Sequence, residues 1–239
     1  MDKPKELNFD SPSVILSGII LGTIGVLAFI VQPGLVQGFV TEIGLSEAKA
    51  NALAFDEMLG VIIATFVTSY LKSKINWRII IGVALVLSAL GNFLSAYALS
   101  TPDLLSFSRF IAGLGEGAII LLSFTIIGLT KRVERNFAAY LVLLLIYGAV
   151  GLWFMPQAYS LIGLSGVFLV WGAITIVSLI VVKFIPQSVS ENTEYNENAR
   201  DMSFTVKAIA LSGTFLFNLA VGVTWANIFL IGIEINDDP

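Results

Sequence analysis

The sequence contains no cysteine and no histidine. Without cysteine there is no disulfide and no thiolate metal site. Without histidine the chain lacks the commonest general base and the commonest metal ligand. Proton chemistry near neutral pH therefore falls to carboxylates or a lysine, and no metal or cofactor motif is present. Charge is scarce as well. Asp, Glu, Lys and Arg make up 13% of 239 residues, about half the ~25% usual in soluble domains. No basic patch points to nucleic acid. No nucleophile–base pair points to an enzyme.

What is present is oil. Hydrophobic residues make up 56% of the chain, and its mean hydropathy is +0.90. The charges sit between long apolar runs. A helix of about 18 or more apolar residues crosses the roughly 30 Å hydrocarbon core, and a crossing segment must satisfy its own backbone hydrogen bonds. Seven runs meet that length: Ser13–Val31 (stopped by Pro33 and Gly34), Ala52–Leu71, Ile79–Leu99, Leu105–Leu129, Phe137–Met155 (with Pro156 behind it), Leu161–Phe184 (with Pro186 behind it) and Val206–Ile233. The predicted fold is an all-α polytopic membrane bundle. The first run is longer than a signal-peptide core and lacks a small-residue cleavage site after it, so it reads as a retained span.

Lysines and arginines are kept on the cytoplasmic side. Lys3, Lys5, Lys72, Lys74, Arg78, Lys131, Arg132, Arg135, Lys183, Arg200 and Lys207 all fall on one predicted face. The expected protein is therefore a multi-pass protein of the cell (inner or plasma) membrane with a cytoplasmic N-terminus and residues 234–239 outside. The segment 187–202 is polar and acidic and cannot bury a core of its own. The expected organisation is a tail at 1–12, a six-span domain at 13–185, a cytoplasmic linker at 186–205, and a seventh span with its outer tail at 206–239.

Four stretches carry a resemblance to the major facilitator superfamily of transporters. From Gly44, GLSEAKANALAFDEMLG ends in the acidic-Met-Leu-Gly stretch Glu57–Gly60. LKSKINWR, Leu71–Arg78, stands where the family's G-x-L-a-D-R-x-G-R-R loop belongs. There Ser73 replaces Asp, Lys74 replaces Arg, Asn76 replaces Gly, and Arg78 matches a terminal Arg. RFIAGLGEG, Arg109–Gly117, resembles the fourth-span R-x-x-x-G-x-G pattern. GLSGVF, Gly163–Phe168, resembles G-W-R-x-x-F without its Trp and Arg. The fifth-span G-P-x-x-G-G pattern is reduced to Gly148 and Gly151. The resemblance implies a domain of two three-helix repeats plus one additional helix, with a substrate site near the midplane. It implies a cytoplasmic gating loop at Ser73, Lys74, Asn76 and Arg78, where Asn76 supplies the left-handed turn in place of Gly. It also implies twelve spans against seven here, which leaves a fragment or a half-length molecule as the two readings.

Ionisable groups at membrane depth cost several kcal/mol and ordinarily face a cavity or a partner. Arg109 and Glu116 are seven residues apart on one helix face, about 10.5 Å along the axis. Arg109 reads as an anchor for an anionic substrate group, as the partner of a coupling carboxylate, or as a structural pair with Asp56 or Glu57. Glu116 reads as a proton site or a buried neutral acid. Asp56 and Glu57 are further substrate-binding or proton-coupling candidates, expected near the outer end of the second span, where Asp56 also reads as a solvated interfacial residue. Asn92, Asn218, Trp225 and Asn227 are interhelical glue or substrate contacts. Trp77, Trp153 and Tyr159 read as interface anchors. Glycines at 18, 22, 113, 115 and 117 read as packing positions.

The leading expectation is secondary transport of a small solute by alternating access, with a proton as coupling ion. A single cavity Arg leans the cargo toward an anion or zwitterion. The expected partners are the lipid bilayer, that solute, a proton, and either a second copy or a missing C-terminal half. The alternative is a non-transporting half-length scaffold or regulator.

Overall fold

The computed structural model describes residues 8–188, 203–226 and 228, and those residues form helices and turns without a strand. The chain divides into two compact units, Met1–Ser188 and Val189–Pro239. In the first unit the first apolar run is not one helix. It forms α1 (Pro12–Ile24), the single turn α2 (Leu27–Ile30) and α3 (Gln32–Thr41). Pro33 was expected to end the span, yet it is the second residue of α3. First-turn N–H groups have no intrahelical acceptor, so proline costs little there. α4 (Glu47–Leu71) starts five residues before the expected Ala52, and α5 (Trp77–Tyr97) and α6 (Pro102–Gly128) follow.

The fifth and sixth runs join in α7 (Val133–Val177), which passes through Pro156 and breaks at Gly163 (φ +68, ψ 172). A side chain at that φ would be strained, and glycine has no Cβ to clash. Val133 to Phe184 is 52 residues of apolar helix. Laid straight it would reach about 78 Å, more than twice the ~30 Å hydrocarbon core, so it supplies two crossings. The tail of the sixth run, Ser178–Phe184, is a 3₁₀ helix. In the second unit α8 (Phe204–Ala226) covers the seventh run as far as Ala226, and residues 227 and 229–233 of that run lie outside the described residues.

α6 packs most extensively against α4 and α5, and also against α1. Its glycines allow this. A methyl group on Gly113 would collide with the Glu57 carbonyl of α4, and one on Gly115 with the Ala84 carbonyl of α5. Without a hydrophobic drive between helices in lipid, this backbone-to-backbone approach supplies the dispersion contacts that hold spans together.

One end of the first unit is tied together by polar bonds. The Trp77 indole donates to the Lys72 carbonyl (2.7 Å), Arg78 Nε donates to the Ile185 carbonyl (2.7 Å), and the Trp77 N–H donates to the Gln187 carbonyl (2.8 Å). Phe9 meets Trp77 edge-on, and Asp10 accepts the Lys131 backbone N–H (2.7 Å). Trp77 is therefore buried rather than an interface anchor, and so is Tyr159, whose hydroxyl donates to the Gly34 carbonyl (2.8 Å). Trp153 is exposed, as an anchor requires.

Candidate functional site

The buried polar side chains of the first unit converge on α6. Arg109 is fully buried, and every nitrogen of its guanidinium is engaged. Nη2 pairs with Glu57 Oε1, Nε donates to Glu57 Oε2 (3.3 Å), and Nη1 donates to Asn92 Oδ1 (3.0 Å). Asn92 in turn donates to the Ser88 carbonyl (3.0 Å), which fixes its amide so that the oxygen faces the arginine. The Phe168 ring lies 5.0 Å from the guanidinium carbon, within the range of cation–π attraction. One cation is thus held by residues of α4, α5 and the part of α7 beyond Gly163.

Glu57 reaches this position because α4 begins early. It lies ten residues into the helix, about 15 Å along the axis, and is 2% exposed. The expected placement near the outer end is therefore corrected for Glu57. Asp56 points elsewhere: it is half-buried and accepts the Ser106 hydroxyl (2.6 Å) rather than pairing with Arg109. Two neighbours on one helix serve different partners because successive helical residues diverge by about 100°.

Glu116 is buried one face-repeat below Arg109, within electrostatic reach of Glu57. Arg109 and Tyr147 also lie within its electrostatic reach. As a carboxylate, Glu116 leaves Oε2 without a donor among the described residues. Trp171 meets Phe168 edge-on (ring centroids 5.7 Å apart), and Phe168 faces Arg109. Glu57, Arg109, Phe168 and Trp171 form a continuous line of contacts, with Glu116 and Tyr147 within electrostatic reach of one another nearby. All are buried except Tyr147, which is half-buried. Sequence reasoning singled out Arg109, Glu57, Glu116 and Asn92. It missed Phe168, Trp171 and Tyr147, because an aromatic residue in an apolar run looks the same whether it meets lipid or an arginine.

The predicted gating loop lies at the tied end. Ser73 donates to the Tyr70 carbonyl (3.2 Å), and Lys74 contacts the Tyr70 hydroxyl and stands 3.7 Å from that ring's centre. Asn76 does not adopt the left-handed turn expected of it. At φ −57 it caps α5, accepting the Arg78 N–H (2.9 Å). Helix N-termini leave N–H groups unpaired, and Asn serves them well. In the second unit Trp225 is half-buried on α8. The side chains of Asn218 and Asn227 lie outside the described residues.

No protein of curated function matches the chain. The family profile of the Major Facilitator Superfamily matches residues 13–235. That span covers most of the sequence and both units, and it agrees with the apolar helices and with the order of the four sequence stretches; the chain belongs to the Major Facilitator Superfamily and is a multi-pass membrane transporter.

Proposed function

We propose that the protein is a proton-coupled secondary transporter of a small solute, working by alternating access, in which the Glu57–Glu116 carboxyl pair holds the coupling proton and Arg109 supplies the counter-charge. The observation that carries this reading is the charge count at this cluster. Two buried carboxyl groups stand against a single buried arginine, which pairs with Glu57 and balances a single negative charge. Two ionised carboxylates side by side repel strongly. Loss of that proton leaves a buried, uncompensated charge, which the protein relieves by opening the site to water.

The carboxyls and their arginine are buried, with Phe168 over the guanidinium, an environment that suits a proton. Arg109 then acts as the partner of a coupling carboxylate, the second role open to it, rather than as an anchor for an anionic cargo. Residues 13–185 form the N-terminal domain, followed by a linker and a seventh span that opens a second domain. The end carrying Lys72, Lys74, Arg78 and Lys131 faces the cytoplasm of the cell membrane by the retention rule for basic residues.

The test is solute uptake into proteoliposomes over a metabolite panel, with and without an imposed pH gradient. Wild-type protein is expected to accumulate its solute in a gradient-dependent manner. Glu116→Gln, which keeps the shape and removes the titrating proton, is expected to exchange solute without accumulating it. An unchanged response to pH in that variant would refute proton coupling at this site.

A further inference from the structure

At the tied end of the first unit, the loop between α4 and α5 walls a cleft of about 230 Å³, lined chiefly by Lys72, Ser73, Lys74, Asn76, Gln187 and Ser188. Its frame is fixed by backbone bonds. The Trp77 indole donates to the Lys72 carbonyl (2.7 Å) and pins the start of the loop. The Trp77 N–H donates to the Gln187 carbonyl (2.8 Å) and Arg78 Nε to the Ile185 carbonyl (2.7 Å), which sets the chain after the 3₁₀ helix against that loop. No carboxylate lines the cleft. Among the described residues the ion pairs are Arg109 with Glu57 and Lys131 with Asp10, and neither uses Lys72 or Lys74. Lys74 lies against the Tyr70 phenol, an uncharged partner that leaves its charge unneutralised. Asn76 commits its oxygen to the Arg78 N–H (2.9 Å), and its NH2 group remains a donor. The cleft thus gathers two cations with amide and hydroxyl groups and no opposing charge.

We infer that this cleft binds a phosphate group, and that an anionic phospholipid headgroup carries it. Ammonium groups and neutral donors without a carboxylate suit the charge and the acceptor oxygens of a phosphate. The volume is below the roughly 300–1,000 Å³ of pockets that enclose a small molecule, so it fits a headgroup rather than a whole metabolite. The neighbouring surface points to lipid as the source. The cleft sits where α4 ends and α5 begins, at the end of two helices long and apolar enough to cross a membrane. Along α5, Ile79, Val83, Leu90 and Leu94 are exposed at helical spacing, and on α4 Phe66 and Tyr70 are 76% and 64% exposed. Acyl chains lying on these faces place their phosphate at the level of the two lysines. Basic pockets between membrane helices recognise anionic headgroups in this way. A headgroup held there bridges the α4–α5 loop and residues 187 and 188, two stretches more than a hundred residues apart. The cytoplasmic leaflet follows from the orientation proposed above; the site itself depends neither on that orientation nor on proton coupling.

The test titrates the full chain in detergent with phosphatidylglycerol, with phosphatidylcholine and, separately, with glycerol 3-phosphate, and counts bound molecules by native mass spectrometry. One phosphatidylglycerol is expected to bind well ahead of phosphatidylcholine. A lysine beside an anionic headgroup is worth about fivefold in affinity, so Lys72→Gln with Lys74→Gln is expected to weaken that lipid about thirtyfold and to erase its advantage. Lys72 is half-buried and Lys74 exposed, so the pair of substitutions is expected to leave Tm unchanged. If that double variant does not fold, Ser73→Asp, which puts a negative charge in the cleft, is expected to show the same loss of selectivity. Arg132→Gln with Arg135→Gln removes two exposed charges that do not line the cleft and is expected to leave the tight site in place. Glycerol 3-phosphate carries the phosphate without acyl chains and is expected to displace the lipid only at far higher concentration. Equal losses from the two double variants would reduce the effect to general surface charge and overturn the site, as would a wild-type protein with no preference between the two lipids. Glycerol 3-phosphate that binds as tightly as phosphatidylglycerol would overturn the lipid as the source of the phosphate.

Discussion

α6 and the first part of α7, residues 133–162, are both apolar enough to cross a bilayer, yet they occupy opposite environments. α6 buries Arg109, Gly113, Gly115, Glu116 and Ser123 along its inner faces. The first part of α7 turns Leu141, Val142, Leu145, Ile146, Val150 and Trp153 outward. In water the oiliest residues mark the interior. In a bilayer lipid tails are as apolar as leucine, so hydrophobicity stops discriminating, and small or polar residues mark the interior instead. The helix with more glycine and more charge is the one at the centre.

Substitutions on the two helices test that contrast. The largest effect is expected at Gly113, where any side chain meets the Glu57 backbone. Gly113→Leu is expected to abolish a monodisperse peak in detergent, because backbone on a neighbouring helix has no room to yield. Next comes Arg109→Leu. It leaves two buried carboxyls without their cation, and breaking a buried pair from one side costs about 3–5 kcal/mol. A clear fall in Tm is expected, partly recovered by adding Glu57→Gln. The smallest effect is expected at Leu145, 70% exposed on α7. Leu145→Ala exchanges one lipid contact for another and is expected to change stability by no more than about 0.5 kcal/mol. A Leu145→Ala variant as damaged as Arg109→Leu would mean that this face of α7 is covered by protein and would erase the contrast.

The sequence disclosed the membrane class, because length and apolarity of the runs are all that a crossing demands. It also disclosed Arg109 and Glu116, because charge inside an apolar run is conspicuous at any rotation. Which carboxylate meets Arg109 was not legible. That choice depends on where α4 starts, and Ser46 and Glu47 begin the helix while still in polar sequence. The interrupted first span was hidden for a related reason. Pro33 looked like a terminator, yet proline near the start of a helix is compatible with continuation. Asn76 was assigned the right loop and the wrong task, since the same side chain suits a left-handed turn and a helix cap.

Phe9 rests on Trp77, the first residue of α5, while its neighbour Asp10 holds the loop before α7. Two consecutive residues ahead of the first span therefore act as a short yoke across two points that are distant in sequence. A bulky fusion placed just before Phe9 would load both points at once, so the position of a purification tag is itself a mechanical perturbation of this protein.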